Sequence, residues 1–264
     1  MLVALGSILH SNSDQEDLVA LRLAIAIPTY NEAKNIGALL SRIRAVCIAQ
    51  SDVEVTAVIL DDSSPDGTAD LARDLAGSLE TDIFRVMVIV KKEKSGLGAA
   101  YINGFKQLMG QSFDYVLQMD ADLSHDPAYI EHFLHEARSG TELSVASRYI
   151  PGGGTPDWTW KRKFLSRGGN NYARLILGRE ITDYTGGFNM FSGELLKRVQ
   201  PESIESTGYG FIIELKYRAL LGSTSVKEIP IIFLDRTHGV SKMPSGTLMR
   251  NFALVLRLRQ SLAR

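Results

Sequence analysis

The chain is nearly free of cysteine. Cys47 stands alone in 264 residues, so no intrachain disulfide can form and a reducing compartment is the simpler setting. Net charge is missing too. Twenty-nine Lys and Arg against 30 Asp and Glu leave a formal charge of -1, which gives no support to nucleic-acid binding as the main task. No apolar run approaches the roughly 18–20 residues that a membrane helix needs. The opening MLVALGSILHSNSDQED lacks the basic stretch that precedes the apolar run of a signal peptide. Residues 1–20 therefore read as a loosely docked tail, and the protein as soluble or lying on a membrane without crossing it. No G-x-x-x-x-G-K-[ST] occurs, which removes a P-loop. No cluster of histidines accompanies His125 or His238, so both read as structural groups or as neighbours of a site.

What the chain does have is hydrophobic pattern, 45% of its residues. LRLAIAIP (21–28), VEVTAVIL (53–60), FRVMVIV (84–90) and YVLQM (115–119) are β-rich runs, each followed by a helical pattern. ELSVASRY (142–149) and VKEIPIIFL (226–234) read as later strands. Such βα alternation predicts an α/β fold, a mostly parallel sheet covered by helices, with ligands at the carboxyl ends of the strands. Cys47, among Ile43, Val46 and Ile48, reads as a core thiol. The organisation changes after Tyr149, where PGGGTPDW is a loop by composition. The part up to about residue 149 would bind a nucleotide and the rest would form the acceptor side, as halves of one fold.

YVLQMDADLSHDP (115–127) carries the sharpest signal. Residues two apart share a face of a strand, so Asp120 and Asp122 would point together at the rim. Two carboxylates that close repel, and Mg²⁺ or Mn²⁺, shared with a phosphate, would relieve this. The plainer alternative is a solvated turn with Asp122 capping the next helix. Ser124 or His125 would complete the ligand shell or hold the ligands in place. In IPTYNEAKNI (27–36), Tyr30 would stack on a base and Glu32 accept a ribose hydroxyl, or Asn31 or Glu32 would simply cap a helix. In ILDDSSPDGT (59–68), Asp62 would accept from a base, with capping by Asp66 or Thr68 as the alternative. KKEKSGLGAAY looks like a dinucleotide fingerprint, but Tyr101 stands where a small residue belongs and the strand is the third, not the first. Its glycines would instead let the backbone pass close to a pyrophosphate or to a neighbouring loop.

IPTYNE, DDSSPDGT, KSGLGAAYINGF, MDADLSH, ASRY, TGGF and RTHGVSK, in that order from about Leu23 to Lys242, resemble the landmarks of family 2 glycosyltransferases with a GT-A fold. The nearest group is the polyprenyl-phosphate mannosyltransferases of dolichol-phosphate mannose synthase type. The resemblance implies a Rossmann-like sheet with helices on both faces, GDP-mannose as donor, the phosphate of a polyprenol as acceptor, inversion at the anomeric carbon, and Mg²⁺ or Mn²⁺. By position, Pro28, Tyr30, Glu32, Leu60 and Asp62 would hold the nucleoside. Asp120, Ala121 and Asp122 would hold the metal and donor diphosphate, with Ser124 on the metal side where archaeal members often have Gln. Lys242 would bind the donor, and Arg148 and Arg162 the acceptor phosphate. Asp122, Arg148 and Arg236 would form the catalytic set.

That chemistry suits the inventory. A phosphate monoester is largely ionised near neutral pH, with a second pKa of about 6, so it needs neutralisation more than a general base. Arg148 and Arg236 follow strands onto the rim and so weigh above Lys161, Lys163 and Arg167. Asp183 would orient an arginine, and Glu214 would cap or pair within the core. WTWKRKFLSRGGNNYARLIL and the amphipathic 246–264 segment suggest contact with a lipid interface, ordinary packing on the sheet being the alternative. The chain would lie peripherally on the cytoplasmic face of a membrane, with a separate anchoring protein as a possible partner. Two rival readings stay open: a transferase using UDP-glucose or another UDP-sugar, and a non-catalytic nucleotide-sugar-binding protein.

Overall fold

Alternation of branched and small residues gives the first strand, β1 (Leu21–Thr29), two unlike faces. Leu23, Ile25 and Ile27 pack on one side and Ala24 and Ala26 on the other, all fully buried. A strand buried on both faces belongs inside a helix-covered sheet. In the computed structural model, which describes residues 20–235 and 247–262 and no side chains at 247–249, β1 lies between β2 (Val53–Asp61) and β4 (Tyr115–Gln118), parallel to both. The sheet has seven strands among the described residues. β3 (Phe84–Val90) is parallel to β2, and β7 (Val226–Pro230) is parallel to β5 (Leu143–Ser147). β6 (Asn189–Ser192) runs antiparallel between β4 and β5, giving the order β3-β2-β1-β4-β6-β5-β7. The sheet is thus mostly parallel, as the alternation predicts, with β6 a strand that TGGFN gave no sign of.

Helices α1 (Ala33–Cys47), α2 (Thr68–Leu79) and α4 (Ile130–Arg138) cover the face carrying Leu23 and Ile25. The opposite face packs against α3 (Leu97–Met109), α5 (Trp160–Leu177), α6 (Gly193–Val199), α7 (Tyr209–Gly222) and α8 (Thr247–Leu262). The stripe Ile36, Leu39, Leu40, Ile43 and Cys47 buries one side of α1. Burial pushes the Cys47 thiol up to about 12, so it is an inert core group.

The helices change face between α2 and α3. The chain leaves β1 towards β2 and β3, then returns through α3 on the other face to β4. Loops at the carboxyl ends of β1 and β4 therefore diverge, and a crevice opens between them. The tail at residues 1–19, and Arg236, His238 and Lys242, lie outside the described residues.

Candidate active site

The crevice is a cleft of about 800 Å³. Pro28, Tyr30 and Glu32 line it from the β1 loop, Asp62 from the end of β2, and Asp120, Ala121 and Asp122 from the end of β4. The β1 loop is held from outside itself. Ser64, Thr68 and Asp66 accept from the backbone N–H groups of Asn31, Glu32 and Ala33, each at 3.0 Å. The first turn of α1 is thus capped by the following β–α loop rather than by Asn31 or Glu32, and Asp66 also accepts from the Thr68 amide at the start of α2. Glu32 accepts from the Asn35 side chain at 2.7 Å. Lys94 lies 3.5 Å over the Tyr30 ring. Asp62 accepts from the amides of Ser95 and Gly96 at 2.9 and 2.7 Å, so it anchors the loop before α3. Gly98 fits a neighbour: a Cβ there would sit 3.0 Å from Cβ of Phe211 on α7.

β4 stops at Gln118, so Asp120 and Asp122 belong to a loop. Their shared cleft comes from the loop's course, with Leu123 at φ +64°, and not from strand alternation. Each aspartate has a keeper. The Ser124 amide and hydroxyl donate to Asp122 Oδ1 at 3.1 and 2.6 Å. His125 Nδ1 accepts from the Asp120 amide at 3.0 Å, which leaves the ring proton on Nε2, 3.8 Å from Asp120 Oδ2. Burial lowers the pKa of His125, so the ring is neutral at pH 7. Capping of the next helical turn falls to Asp126, which accepts from the Ala128 amide at 2.9 Å and pairs with Arg42 at 2.8 Å. Ser124 is buried against Asp122 and does not line the cleft. Two rim carboxylates fit a hard divalent cation shared with a phosphate ligand. No three Asp, Glu, His or Cys side chains among the described residues form a metal cage by themselves.

Arg148 directly follows the carboxyl end of β5, and its side chain turns inward from that rim. It is buried and forms a two-pronged pair with Asp183, Nε to Oδ2 at 2.7 Å and Nη2 to Oδ1 at 2.8 Å, while Nη2 also donates to Thr185 at 2.9 Å. Burial disfavours both charges, but Arg148 offsets this for Asp183, whose pKa is held down to about 2. Arg148 lines a second cavity of about 410 Å³ with Tyr149, Trp158, Lys163 and Arg167. The carboxylate pair and Arg148 thus face two cavities among the described residues, not one. Between them runs the loop after Asp183. Its Gly187 abuts Asp120, to whose Oδ1 a Cβ would stand 3.6 Å away. The loop is nailed down by Lys216, fully buried, which donates to the carbonyls of Asp183 and Gly186 at 2.6 and 2.7 Å.

Arg162 pairs with Asp235 at 2.8 Å and lies 4.0 Å over Trp158. Leu60 is a core residue against Gly104 and does not line the cleft. Glu214 pairs with Arg218 at 2.6 Å and accepts from Ser206. Lys163 and Arg167, which sequence reasoning weighted below Arg148 because it followed strand ends, line the same cavity as Arg148 from α5. The same reasoning missed Lys216, whose only signal is a lysine inside the apolar stretch FIIELKYRALL.

The family model for glycosyl transferase family 2 matches residues 24–200. The chain is 39% identical over 229 residues to a polyprenol monophosphomannose synthase of Mycolicibacterium smegmatis, covering 87% of this chain and 83% of that protein. It is 36% identical over 226 residues to an undecaprenyl-phosphate mannosyltransferase of Micrococcus luteus, covering 86% and 89%. Among solved structures, glucosyl-3-phosphoglycerate synthase of Mycobacterium tuberculosis with Mn²⁺, UDP-glucose and phosphoglyceric acid superposes with a TM-score of 0.64 at 18% identity, over 91% of this chain and 80% of that one. The same enzyme with Mg²⁺ and UDP gives 0.64 over 92% and 83%. At that identity the likeness is one of fold. A motif series in order, a crevice at the sheet's switch point and a family model over most of the chain agree: the protein belongs to glycosyl transferase family 2.

Proposed function

We propose that the protein is a metal-dependent, inverting mannosyltransferase that moves mannose from GDP-mannose to the phosphate of a polyprenol. The observation that carries this reading is the juxtaposition of two cavities across one loop, one lined by Asp120 and Asp122 and the other by Arg148, Lys163 and Arg167. The names of the two mannosyl-transferring relatives support it, and the fold neighbours' Mn²⁺ and Mg²⁺ complexes support a divalent cation.

Pro28, Tyr30, Glu32 and Asp62 cradle the nucleoside. Asp120 and Asp122 hold Mg²⁺ or Mn²⁺ beside the donor diphosphate, with the Ala121 backbone between them. The cation, when bound, offsets the charge that develops on the leaving diphosphate. In the second cavity Arg148 keeps Nη1 without a described acceptor, and Lys163 and Arg167 add charge for the acceptor phosphate. An ionised phosphate oxygen needs no base. It attacks the anomeric carbon as the bond to the diphosphate breaks on the opposite side, which inverts the centre. By resemblance Arg162 joins the acceptor cations, Lys242 the donor, and Arg236 the catalytic set.

No described helix is long and apolar enough to cross a membrane. α5, however, presents Trp160 and Phe164 at 73% and 77% exposure beside Lys161, Arg162 and Lys163. Aromatic residues next to cations suit a lipid headgroup layer, where a polyprenol is met, on the cytoplasmic face. Incubation with GDP-mannose, polyprenyl phosphate and either metal is expected to yield lipid-linked mannose; none with both metals overturns the reading, and turnover of UDP-glucose alone would reassign the donor. Wild type should co-sediment with anionic liposomes, and Trp160→Ser with Phe164→Ser should stay in the supernatant.

A further inference from the structure

The large cleft is rich in negative charge. Glu32, Asp62, Asp120, Asp122 and Glu205 all line it, and a nucleotide sugar brings its own diphosphate. One divalent cation cannot offset both. The cations that line the cleft among the described residues are Lys94, already over Tyr30, and two arginines of α8, Arg250 and Arg257.

These two are seven residues apart, which is about two helical turns or 10 Å along the axis, and Ala253 between them also lines the cleft. The adjoining stripe, Leu254, Val255 and Leu258, is buried in the core. Packing therefore fixes the helix without help from the arginines. Gly210 at the start of α7 lets it come close, since a Cβ there would lie 2.8 Å from Leu254 Cδ2. Phe252 meets the Tyr172 ring edge-on at 4.6 Å, and its carbonyl accepts from the Tyr172 hydroxyl at 3.2 Å. Among the described residues Arg250 and Arg257 form no hydrogen bond or ion pair. The first turns of α3 and α7, at Gly96, Leu97, Gly208 and Tyr209, line the same cleft, and helix N-termini favour anions.

We infer that α8 is a wall of the donor site, with Arg250 and Arg257 binding the diphosphate of the nucleotide sugar. The guanidinium fork matches phosphate oxygens. This rests on the donor reading of the cleft, and it gives the C-terminal amphipathic helix a task other than lying on lipid.

The test is titration of GDP and of GMP, with Mg²⁺, into wild type, Arg250→Gln, Arg257→Gln, the double variant and Arg259→Gln. Arg259 is exposed on the same helix and does not line the cleft. GDP affinity should fall about tenfold for each cleft arginine, GMP affinity less, and Arg259→Gln should match wild type. Arg257→Lys, which keeps the charge, should recover part of the loss. If wild type fails to bind GDP, the donor reading itself falls. If wild type binds and the glutamine variants bind equally well, or lose GDP and GMP alike, the inference on α8 is overturned while the donor reading stands.

Discussion

The two cavities on either side of the 183–187 loop present opposite charge. In the larger one carboxylates dominate, and hydrogen bonds orient two of them and a neighbouring amide: Asp62 accepts from Ser95 and Gly96, Asp122 accepts from Ser124, and the Asp120 amide donates to His125. In the smaller one the charged lining is cationic: Lys163, Arg167 and Arg148, which Asp183 holds through two hydrogen bonds and which lies 5.3–5.5 Å from the ring centres of Tyr149, Trp158 and Phe233. A cation shared with a diphosphate needs fixed oxygens. A phosphate carried on a long lipid needs positive charge more than one geometry. The difference between the cavities is thus a difference between their expected occupants.

Asp122→Asn is the largest break available. The amide keeps an acceptor for Ser124 but removes the charge that a metal needs, so the fold should survive while turnover falls about a thousandfold, some 4 kcal/mol of transition-state stabilisation. Retention of more than a tenth of the turnover, measured with metal in excess, would count against the metal role. Asp183→Asn comes next and strikes the wall between the cavities. It leaves the Arg148 charge buried without its partner, which costs about 3–5 kcal/mol of stability. Chemical denaturation should show this, and an unchanged midpoint would mean that the pair does not organise the loop.

The first of these sites was more legible in the sequence than the second. Asp120 and Asp122 follow an apolar run, and their place at a strand's end needs only that local pattern, although the strand stops earlier than the pattern suggests. β1 to β4 were equally plain, because each is a run of branched residues before a helical stripe. β6 is four residues long, comes straight after TGGF and reverses direction, and no period is visible in so short a run. What the residues alone could not give is convergence between distant segments. Arg148 and Asp183 meet across 35 positions, and Ser64, Asp66 and Thr68 cap a helix that precedes them. Spacing along one element reports its own faces, not which neighbour fills them. The roles expected of Arg236 and Lys242 fall outside the described residues.

Lys216 sharpens the comparison, since it holds the dividing loop from beneath. Burial drives its pKa down to about 7, with Asp183 pulling the other way. Its unfolded value is about 10.4. Between these pH values the unfolded chain binds the extra proton, so this residue's contribution to stability rises from pH 7 towards 10 and fades as pH falls to 7. Lys216→Met should flatten the rise by up to about 1 kcal/mol per pH unit relative to wild type. Parallel stability curves for the two proteins would show that the ammonium is not desolvated as its burial implies.

The smallest expected effect tests the tolerant side alone. Lys163 and Arg167 line the cavity from α5, and Lys163 donates to the Pro156 carbonyl at a long 3.3 Å. Neither belongs to the core, so Lys163→Gln and Arg167→Gln should leave stability within about 0.5 kcal/mol of wild type. The charge they supply is partly screened, so each should raise the acceptor KM only some three- to tenfold and steepen with lower salt. The donor KM should not move, because the carboxylate cleft is keyed by other bonds. Equal shifts in both constants would mean that the two cavities act as one site, and that the 183–187 loop passes strain between them instead of keeping their occupants apart.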